Sequence, residues 1–513
     1  MSATTATAPS ASTIDAIKEK AKRLSILSMM STTAAGSGHP TSCMSAAELV
    51  AGTFFYAMKF DPKNPNSPDG DRFVLSKGHA APVLYAAFAE AGVFPESRVM
   101  TLREFSSELE GHPTPRIPGV DAATGSLGQG LSVGAGLAIG AKIDKSPTRV
   151  YVMLGDGEMA EGQIWEAAAF AGHYGLENLT VLADVNALGQ SEPTMYQHNM
   201  EIYRQKFEAE DWAVEIIHGH DVAALLAALD RAKATKGRPQ AILARTIKGH
   251  GVSFLAGKEH WHGKPIPKDQ LAAAIKEVGG PIDVPADGGK SYARTMLPEP
   301  PNFPAPAAPD YDPAKPVATR EAYGYALKRL GAVNPHVVAI SGDVKNSTFS
   351  EIFQDAYPNH FYQGYIAEQN LVSAGVGLAA RGKVPFLDTF ACFLSRACDQ
   401  VRMAAISRSN INLCGSHCGV SIGEDGPSQM ALEDIAIFRA VHSSAVLYPS
   451  DAVSAERLVE TMARRPGINY LRTSRPKTPI LYSKDERFPV PGFKVLRKSD
   501  QDKATVIGGR RWE

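Results

Sequence analysis

Apolar residues occur along this chain in two alternating patterns, short unbroken runs and longer stretches at helical spacing. The segments Arg149–Leu154 and Leu179–Asp184 are apolar and rich in residues that favour β-structure. Between them, Glu161–Tyr174 places its apolar side chains at helical spacing. A strand, a helix and a strand within about thirty residues are typical of a parallel strand pair joined by a crossover helix. The pattern therefore predicts an α/β fold.

Polar residues follow both predicted strands. Gly155-Asp156-Gly157-Glu158 ends the first run, and Asp184-Val-Asn186-Ala-Leu188 ends the second. Both ends lie at the sheet edge where open α/β folds bind ligands. A carboxylate, a carboxamide and the carbonyl of Leu188 are oxygen ligands that suit Mg²⁺, with phosphate oxygens completing the octahedron. Two ordinary strand-end turns are the alternative, but this spacing favours a diphosphate–metal site.

The same alternation continues along the chain. A helix is predicted after Ser12-Thr13, and a strand over Ala241–Thr246 leads to Lys248. Beyond a Pro- and Ala-rich stretch, helical segments at Leu371–Arg381 and Val401–Ser409 separate further apolar runs, which predicts a second parallel sheet. These runs are Val337–Ile340, Pro385–Phe390, Ile411–Leu413, Ala445–Leu447 and Ile468–Leu471.

A chain of 513 residues is too long for one hydrophobic core. A last apolar run, Ala504–Ile507, starts too near Glu513 for a crossover helix to follow, and we interpret it as the first strand of a third domain that is cut short. The predicted organisation is a disordered tail at 1–12, an N-terminal domain at 13–280, a linker at 281–315, a second domain at 316–490 and the start of the third domain at 491–513.

Composition excludes several classes of protein. The formal net charge of −1 gives no basic face for nucleic acid, and the weakly polar stretch Leu131–Ala141 is too short to span a bilayer. The first twelve residues resemble neither a secretory signal nor a transit peptide, and the five cysteines form no disulfide-like framework. We therefore predict a cytoplasmic protein that binds neither nucleic acid nor membrane.

Two further motifs are weaker. The glycines of Gly134–Gly140 lack the spacing and the preceding strand of a dinucleotide fingerprint, and tight helix packing explains them better. Cys414-Gly-Ser-His417-Cys418 offers two thiols and an imidazole, but a zinc site needs a fourth ligand and usually a second Cys/His pair. Neither NAD nor zinc is favoured.

Histidines and arginines supply further candidates. Five histidines stand beside glycine, proline or other small residues, which favours imidazoles on loops of one shared active site. They are His39, His79, His112, His262 and His417. Arg320, Arg472 and Arg475 could bind a phosphate. Glu368 opens a predicted helix, where an acid normally only complements the helix dipole.

Collinear blocks from about residue 15 to about residue 508 resemble the transketolase family of thiamine-diphosphate enzymes. The blocks are Ser37-Gly-His-Pro-Thr-Ser-Cys43, Ser76-Lys-Gly-His-Ala-Ala-Pro82, Thr124-Gly-Ser-Leu-Gly-Gln-Gly130, Gly155-Asp-Gly-Glu158, Trp261-His-Gly-Lys-Pro265, Val317-Ala-Thr-Arg320, Gly342-Asp343, Asn346-Ser-Thr-Phe349, Ala367-Glu-Gln-Asn370, Gly415–Gln429 and Arg472-Thr-Ser-Arg-Pro476. The resemblance implies two doubly wound domains, one that binds the diphosphate and metal and one that binds the pyrimidine. It further implies two-carbon ketol transfer between sugar phosphates in the pentose phosphate pathway, in a homodimer whose active sites lie between subunits.

The resemblance also implies a role for each site residue. Glu368 would hydrogen-bond the aminopyrimidine and promote deprotonation of the thiazolium carbon, with His262 and His417 as further catalytic groups. Asp156, Asn186 and the Leu188 carbonyl would hold Mg²⁺, or Ca²⁺ or Mn²⁺. The cofactor would be lined by Ser42, His79, Gly125, Ser126, Leu127, Gly157, Asn186, Lys248, His262, Glu368, Phe393 and Gln429. The substrate would be bound by His39, His112, Arg320, Ser347, His417, Asp425 and Arg475.

The chain departs from the family pattern at two places. Many relatives carry a histidine where this chain has Gln429, so proton transfer is expected to be arranged differently. The final Gly-Gly-Arg-Arg-Trp-Glu513 does not resemble the family, which continues into a third α/β domain. An inactive or weakly active remnant that binds cofactor or dimerises without turnover is therefore the alternative to an active enzyme. Trp261–Pro265 and the Ser416-His417 loop argue against a deoxyxylulose phosphate synthase.

Overall fold

A computed structural model describes residues 9–284, 297–493, 495 and 497–505. The chain divides into two compact units, Met1–Thr295 and Met296–Glu513. In the part of the chain that is described, no helix is long and apolar enough to cross a membrane.

The first unit alternates helices and strands. Its elements are α1 (Ala11–Ala35), α2 (Pro40–Gly52), β1 (Arg72–Leu75), α3 (Ala81–Ala91), α4 (Gly130–Ile143), β2 (Val150–Gly155), α5 (Gly162–His173), β3 (Leu179–Val185), α6 (Met200–Ala209), β4 (Ala213–His218), α7 (Val222–Ala234), β5 (Gln240–Arg245) and α8 (Lys268–Val278).

The five strands of this unit form a parallel sheet in the order β1-β2-β3-β5-β4. Helices cover both of its faces. Tyr151 and Met153 of β2 join a core with α1, α2, α3 and α7. Val152 points the other way, and Gly134 of α4 lies so close that an added Cβ would stand 2.4 Å from its Cγ2 atom. The glycines of α4 therefore serve helix–sheet packing, as the sequence predicts.

The second unit repeats this architecture. Its elements are β6 (Val317–Ala318), α9 (Thr319–Gly331), β7 (Val337–Ser341), α10 (Lys345–Thr348), α11 (Glu351–Ala356), β8 (Phe361–Gln363), α12 (Glu368–Ala380), β9 (Val384–Phe390), α13 (Cys398–Ile406), β10 (Ile411–Ser416), α14 (Asp434–Arg439), β11 (Ser444–Leu447), α15 (Ala452–Arg464), β12 (Ile468–Arg472) and β13 (Lys477–Thr478).

Six parallel strands form the main sheet of the second unit in the order β11-β12-β10-β9-β7-β8, and β6 pairs with β13 separately. Phe386 of β9 lies in a core with α9 and α15. On the opposite face, Gly375 of α12 packs against Leu387. A Cβ added to Gly375 would lie 2.5 Å from the Leu387 Cδ1 atom. Both units are thus parallel sheets with helices on either face, which confirms the predicted fold class.

The structure differs from the sequence predictions in three respects. Helix α1 begins at Ala11, within the predicted tail, because Ser10 accepts the Thr13 N–H and caps it. The sequence analysis does not predict strands β1, β4, β6, β8 and β13, since they are short or carry charged residues. Ala504 and Thr505 are not in a strand, and the rest of the predicted run Ala504–Ile507 lies outside the described residues.

Candidate functional site

The ends of β2 and β3 bring the predicted metal ligands together. Asp156 follows β2 directly and is 6% exposed. Its carboxylate accepts hydrogen bonds from the Ala187 N–H at 2.6 Å and the Thr194 hydroxyl at 2.9 Å. It also accepts the Gly157 N–H at 2.9 Å. Because Ala187 and Thr194 belong to the segment after β3, one carboxylate ties the two strand ends together.

The carboxamide of Asn186 is held in one orientation. Its Nδ2 atom donates to Ser45 Oγ at 3.2 Å and to Asp184 at 3.4 Å. Its oxygen accepts the Leu188 N–H at 3.2 Å. The Leu188 carbonyl accepts from Lys248 Nζ at 2.7 Å and retains a second lone pair. The set is therefore a carboxylate, an amide oxygen and a carbonyl, which fits Mg²⁺.

A buried ion pair lies next to these strand ends. Lys77 and Asp184 are 1% and 0% exposed and form a salt bridge. Asp184 also accepts from Thr246 and Ser45. Burial opposes the charge of Asp184, but Lys77 and these hydrogen bonds lower its pKa. Burial, together with the nearby Asp184 charge, raises the pKa of Asp156, so a cation there would stabilise its charged form.

Three of the predicted histidines form a triangle in the first unit. The ring centroids lie 5.1 Å apart for His39–His79, 4.9 Å for His39–His262 and 5.1 Å for His79–His262. Lys248 Nζ lies 2.7 Å from His262 Nδ1. An ammonium group can only donate, so His262 accepts at Nδ1 and carries its proton on Nε2.

Burial keeps these imidazoles neutral. It lowers the pKa of His39 to about 4, aided by Arg103, and that of His262 to about 3, aided by Lys248. Burial and the Lys77 charge hold the pKa of His79 well below its usual value. Burial and Lys77 lower the pKa of Lys248 itself to about 8. A neutral imidazole has one donor and one acceptor, so each can either bind a hydroxyl group or move a proton.

The loop before α4 packs on two of these histidine segments. Gly125 adopts φ +118°, and an added Cβ would lie 2.4 Å from the His112 ring. Only glycine fits that approach. Gly78, beside His79, also packs closely on this loop, since an added Cβ would lie 2.7 Å from the Gly125 nitrogen. Ser126 and Leu127 continue this loop, and Leu127 is 37% exposed.

Two buried polar atoms beside the triangle have no hydrogen-bond partner among the described residues. They are Ser42 Oγ and His39 Nδ1. Both belong to the segment that opens α2, where the Ser42 N–H donates to the His39 carbonyl at 3.2 Å. Buried polar groups are normally paired, so these atoms suit a ligand that hydrogen-bonds to them.

In the second unit, Glu368 is the first residue of α12 and is 5% exposed. Phe393, which the resemblance places on the pyrimidine ring, stacks on Phe390 with the centroids 5.5 Å apart and the planes 10° from parallel. Phe390 in turn contacts the His417 ring at 4.2 Å. An aromatic surface therefore connects Phe393 to His417 within this unit.

His417 adopts φ +57°, and its Nδ1 atom lies 2.6 Å from the Ser416 hydroxyl. Burial, together with the positive charges of Arg320 and Arg475, lowers the pKa of His417 to about 4. The segment Gly415–Gln429 continues into two single helical turns that carry Asp425 and Gln429.

Two of the three candidate phosphate-binding arginines, Arg320 and Arg475, lie near each other. Arg320 donates to the Ser347 carbonyl at 2.7 Å and stands over the Phe349 ring. Burial and the charge of Arg475 lower the pKa of Arg320, so the two guanidinium groups repel one another. Arg475 pairs with Glu424 at 3.0 Å and Asp425 at 3.8 Å. An anion bound between the arginines would relieve that repulsion.

Arg472 is the exception among the candidate arginines. It is 5% exposed, makes two hydrogen bonds to the Asp434 carboxylate and lies over the Tyr448 ring. This bonding occupies its guanidinium group, so Arg472 stabilises the sheet end and does not face a phosphate.

Sequence reasoning gave no role to a cluster of Glu48, His220 and His250, whose ligand atoms lie within 4.8 Å of one another. His220 Nδ1 lies 3.1 Å from Glu48, while its Nε2 accepts the Ile247 N–H at 2.9 Å. The two imidazoles are stacked, 14° from parallel, so their lone pairs do not converge. The cluster is internally bonded and a poor metal site. In the described ranges it is the one group of three such side chains this close together, and Cys414–Cys418 forms none.

Comparisons with known proteins identify the family of the chain. The family model "Transketolase, thiamine diphosphate binding domain" matches residues 16–297, and "Transketolase, pyrimidine binding domain" matches residues 315–480. Transketolases of Mus musculus and Homo sapiens are each 51% identical over 512 residues, covering 98% of this chain and 80% of the relative. Transketolase-like protein 1 of Bos taurus is 42% identical, with 98% and 78% covered.

Solved structures show the same likeness. Transketolase from Campylobacter jejuni superposes with a TM-score of 0.83 at 25% identity, covering 91% of this chain and 80% of that one. Transketolase from Leishmania mexicana superposes with a TM-score of 0.79 at 26% identity, covering 90% and 78%.

Proposed function

Because this chain belongs to the transketolase family and is a thiamine-diphosphate-dependent transferase, we propose that it moves a two-carbon ketol unit reversibly from a ketose phosphate to an aldose phosphate. The single observation that supports sugar phosphates is the pair Arg320 and Arg475. An anion bound to both would relieve their mutual repulsion, and charge-assisted hydrogen bonds from guanidinium groups favour phosphate. This reaction belongs to the pentose phosphate pathway.

When bound, thiamine diphosphate supplies the electron sink for the two-carbon fragment. We propose that Asp156, Asn186 and the Leu188 carbonyl hold its metal ion. The orphan Ser42 hydroxyl and the segments that carry His79, Gly125–Leu127, Gly157 and Lys248 would line it. Glu368, Phe393 and Gln429 would contact the cofactor as well. The buried position of Glu368 suits a carboxylate that shares a proton with the pyrimidine ring.

The histidines would handle the hydroxyl groups and protons of the sugar. His262 Nδ1 accepts from Lys248, so its Nε2–H is the group available to donate. His39, with Nδ1 unpaired, can accept a hydroxyl proton. His112 and His417, with Ser347 and Asp425, would position the remaining sugar and phosphate groups. All four histidines are neutral near pH 7, which suits general acid–base work.

We extend the proposal to the assembly, a homodimer in the cytoplasm with active sites between subunits, as the family resemblance implies. The domain limits at 13–280 and 316–490 also remain proposals. Sedimentation velocity with and without cofactor tests the dimer, and a chain that stays a monomer with cofactor bound would contradict it.

The decisive experiment measures turnover of a ketose phosphate plus an aldose phosphate by the purified chain. We expect activity only with thiamine diphosphate and a divalent cation. Chelator treatment followed by cofactor alone is the matched control and should give none. Cofactor binding without turnover would contradict the proposal and favour the alternative of a chain that binds cofactor but does not react.

A further inference from the structure

We propose that Glu158 is a positioning residue for the cofactor, because its carboxylate joins the three segments expected to line the diphosphate side. The inference rests on the proposed function. Glu158 ends the Gly155-Asp-Gly-Glu158 motif, and nothing in the mechanism above uses it.

The carboxylate of Glu158 is buried, with the residue 3% exposed, and both oxygens are engaged. Oε1 accepts the Gly128 N–H at 3.0 Å and the Ser76 hydroxyl. Oε2 accepts the Gly155 N–H at 3.1 Å. All three donors are neutral, so the side chain acts here through its geometry as an acceptor.

Each donor belongs to a different part of the candidate site. Ser76 begins the turn that carries His79, Gly128 follows the loop of Gly125–Leu127, and Gly155 precedes Asp156. These segments are distant in sequence and come from the ends of β1 and β2 and the start of α4. Displacing the carboxylate would therefore move three groups of proposed cofactor ligands at once.

Through Ser76, the hydrogen bonds of Glu158 also connect to the start of α4. Ser76 Oγ also accepts the N–H of Gly130, the first residue of α4, at 3.1 Å. Gly130 lies against Ser76 so closely that an added Cβ would stand 2.4 Å from both its Cβ and its Oγ. Packing this tight leaves no room for a larger group to replace the hydrogen bonds.

Glutamine is the sharpest substitution, since it keeps the volume but presents one oxygen and one NH₂ group. Whichever way the amide turns, its NH₂ meets an N–H donor, either Gly155 or Gly128. We expect Glu158→Gln to raise the Kd for thiamine diphosphate with Mg²⁺ by roughly 10–100-fold, the range found when the partners of metal ligands are removed. At saturating cofactor, kcat should fall much less.

Glu456→Gln is the matched control. Glu456 is a buried glutamate of the second unit, 5% exposed, that accepts from Tyr311 and Arg329. Its substitution should lower Tm and leave the cofactor Kd unchanged. Ser76→Ala is the milder second variant, and it should raise Kd less than Glu158→Gln. The double variant should show less than the sum of both effects, because the two groups share one bond.

Isothermal titration calorimetry with thiamine diphosphate and Mg²⁺ measures each Kd, and thermal melts measure stability. A Glu158→Gln protein that binds cofactor within twofold of wild type would overturn the inference. If that variant does not fold, the same Kd criterion applies to Ser76→Ala. A wild-type chain that binds no cofactor would instead overturn the proposed function, so the two failures are distinguishable.

Discussion

The two units hold their own candidate ligands in different ways. In the first unit, Asp156 and Asn186 are buried and every polar atom of their side chains has a partner. In the second unit, Arg475 is half-exposed and pairs with the exposed acids Glu424 and Asp425. Exposed ion pairs contribute little to stability, so a phosphate can displace them. The difference predicts a preformed set of proposed cofactor ligands in the first unit and an exchangeable set of proposed phosphate ligands in the second.

Substitution of Glu368 should have the largest effect on turnover. Glu368 is also an exception to the contrast between buried ligands in the first unit and exposed ones in the second, since it is buried in the second unit. Glu368→Gln should retain the fold and cofactor binding but reduce turnover by about 10²–10⁴-fold, because an amide cannot take part in proton transfer. Exchange of the thiazolium proton, followed by NMR, should slow in parallel. Glu351→Gln, which changes an acid in the first turn of α11, is the control. Unchanged exchange in Glu368→Gln would remove the residue from catalysis.

Asp156→Ala tests how far the first unit depends on its preformed edge. The change removes the proposed metal ligand and the link between the ends of β2 and β3, so we expect cofactor affinity to fall by about 100-fold or more. Calorimetry with thiamine diphosphate and Mg²⁺ measures the loss. Asp221→Ala removes the cap of α7 instead and should affect only stability, by about 1 kcal/mol. Wild-type affinity in Asp156→Ala would refute the metal assignment.

Arg475→Ala tests the exchangeable phosphate ligands proposed for the second unit. Losing one charge-assisted pair typically costs about 1.5–3 kcal/mol, so KM for phosphorylated substrates should rise roughly 10–100-fold. A free ketose such as erythrulose should be nearly unaffected. Glu424→Gln sharpens the comparison, because removing the competing acid should lower KM for phosphorylated substrates by a few-fold. Equal losses for phosphorylated and free ketoses in Arg475→Ala would indicate general damage.

The smallest effect concerns pH and is shared by both units. The pKa of His39 and His417 is lowered to about 4 and that of His262 to about 3, from a usual 6.5. At a pH between the folded and unfolded pKa values, these histidines bind more protons in the unfolded chain than in the folded one. They therefore reduce the stability of the fold as pH falls from about 6.5 to 4. Burial raises the pKa of Asp388 to about 6, which acts in the opposite direction.

We expect Tm to fall modestly between pH 7 and pH 5, and to fall less in His262→Gln, whose side chain cannot take up the proton. Melts at each pH, with histidine ring signals followed by NMR, check this. An imidazole signal of His262 that titrates near pH 6.5 would contradict the expectation.

The sequence predicted most of the parallel sheets because buried strands are continuous apolar runs. It also placed Asp156 and Asn186 at one edge of the sheet. Consecutive parallel strands have their carboxyl ends at the same edge, and β2 pairs with β3 in parallel. It could not rank the arginines. Arg472 and Arg475 are three residues apart, yet one is buried against Asp434 and the other faces the exposed loop.

What the sequence determined by itself was therefore local, namely the periodicity of strands and helices and the residue types at the ends of strands. Tertiary structure decided which of those residues share a bond. Ser76, Gly128 and Glu158 meet although 82 residues separate the first from the last. The tautomer of His262 depends on Lys248, from another segment. Hydrogen bonds and burial act between neighbours in space, and the chain brings such neighbours together only when it folds.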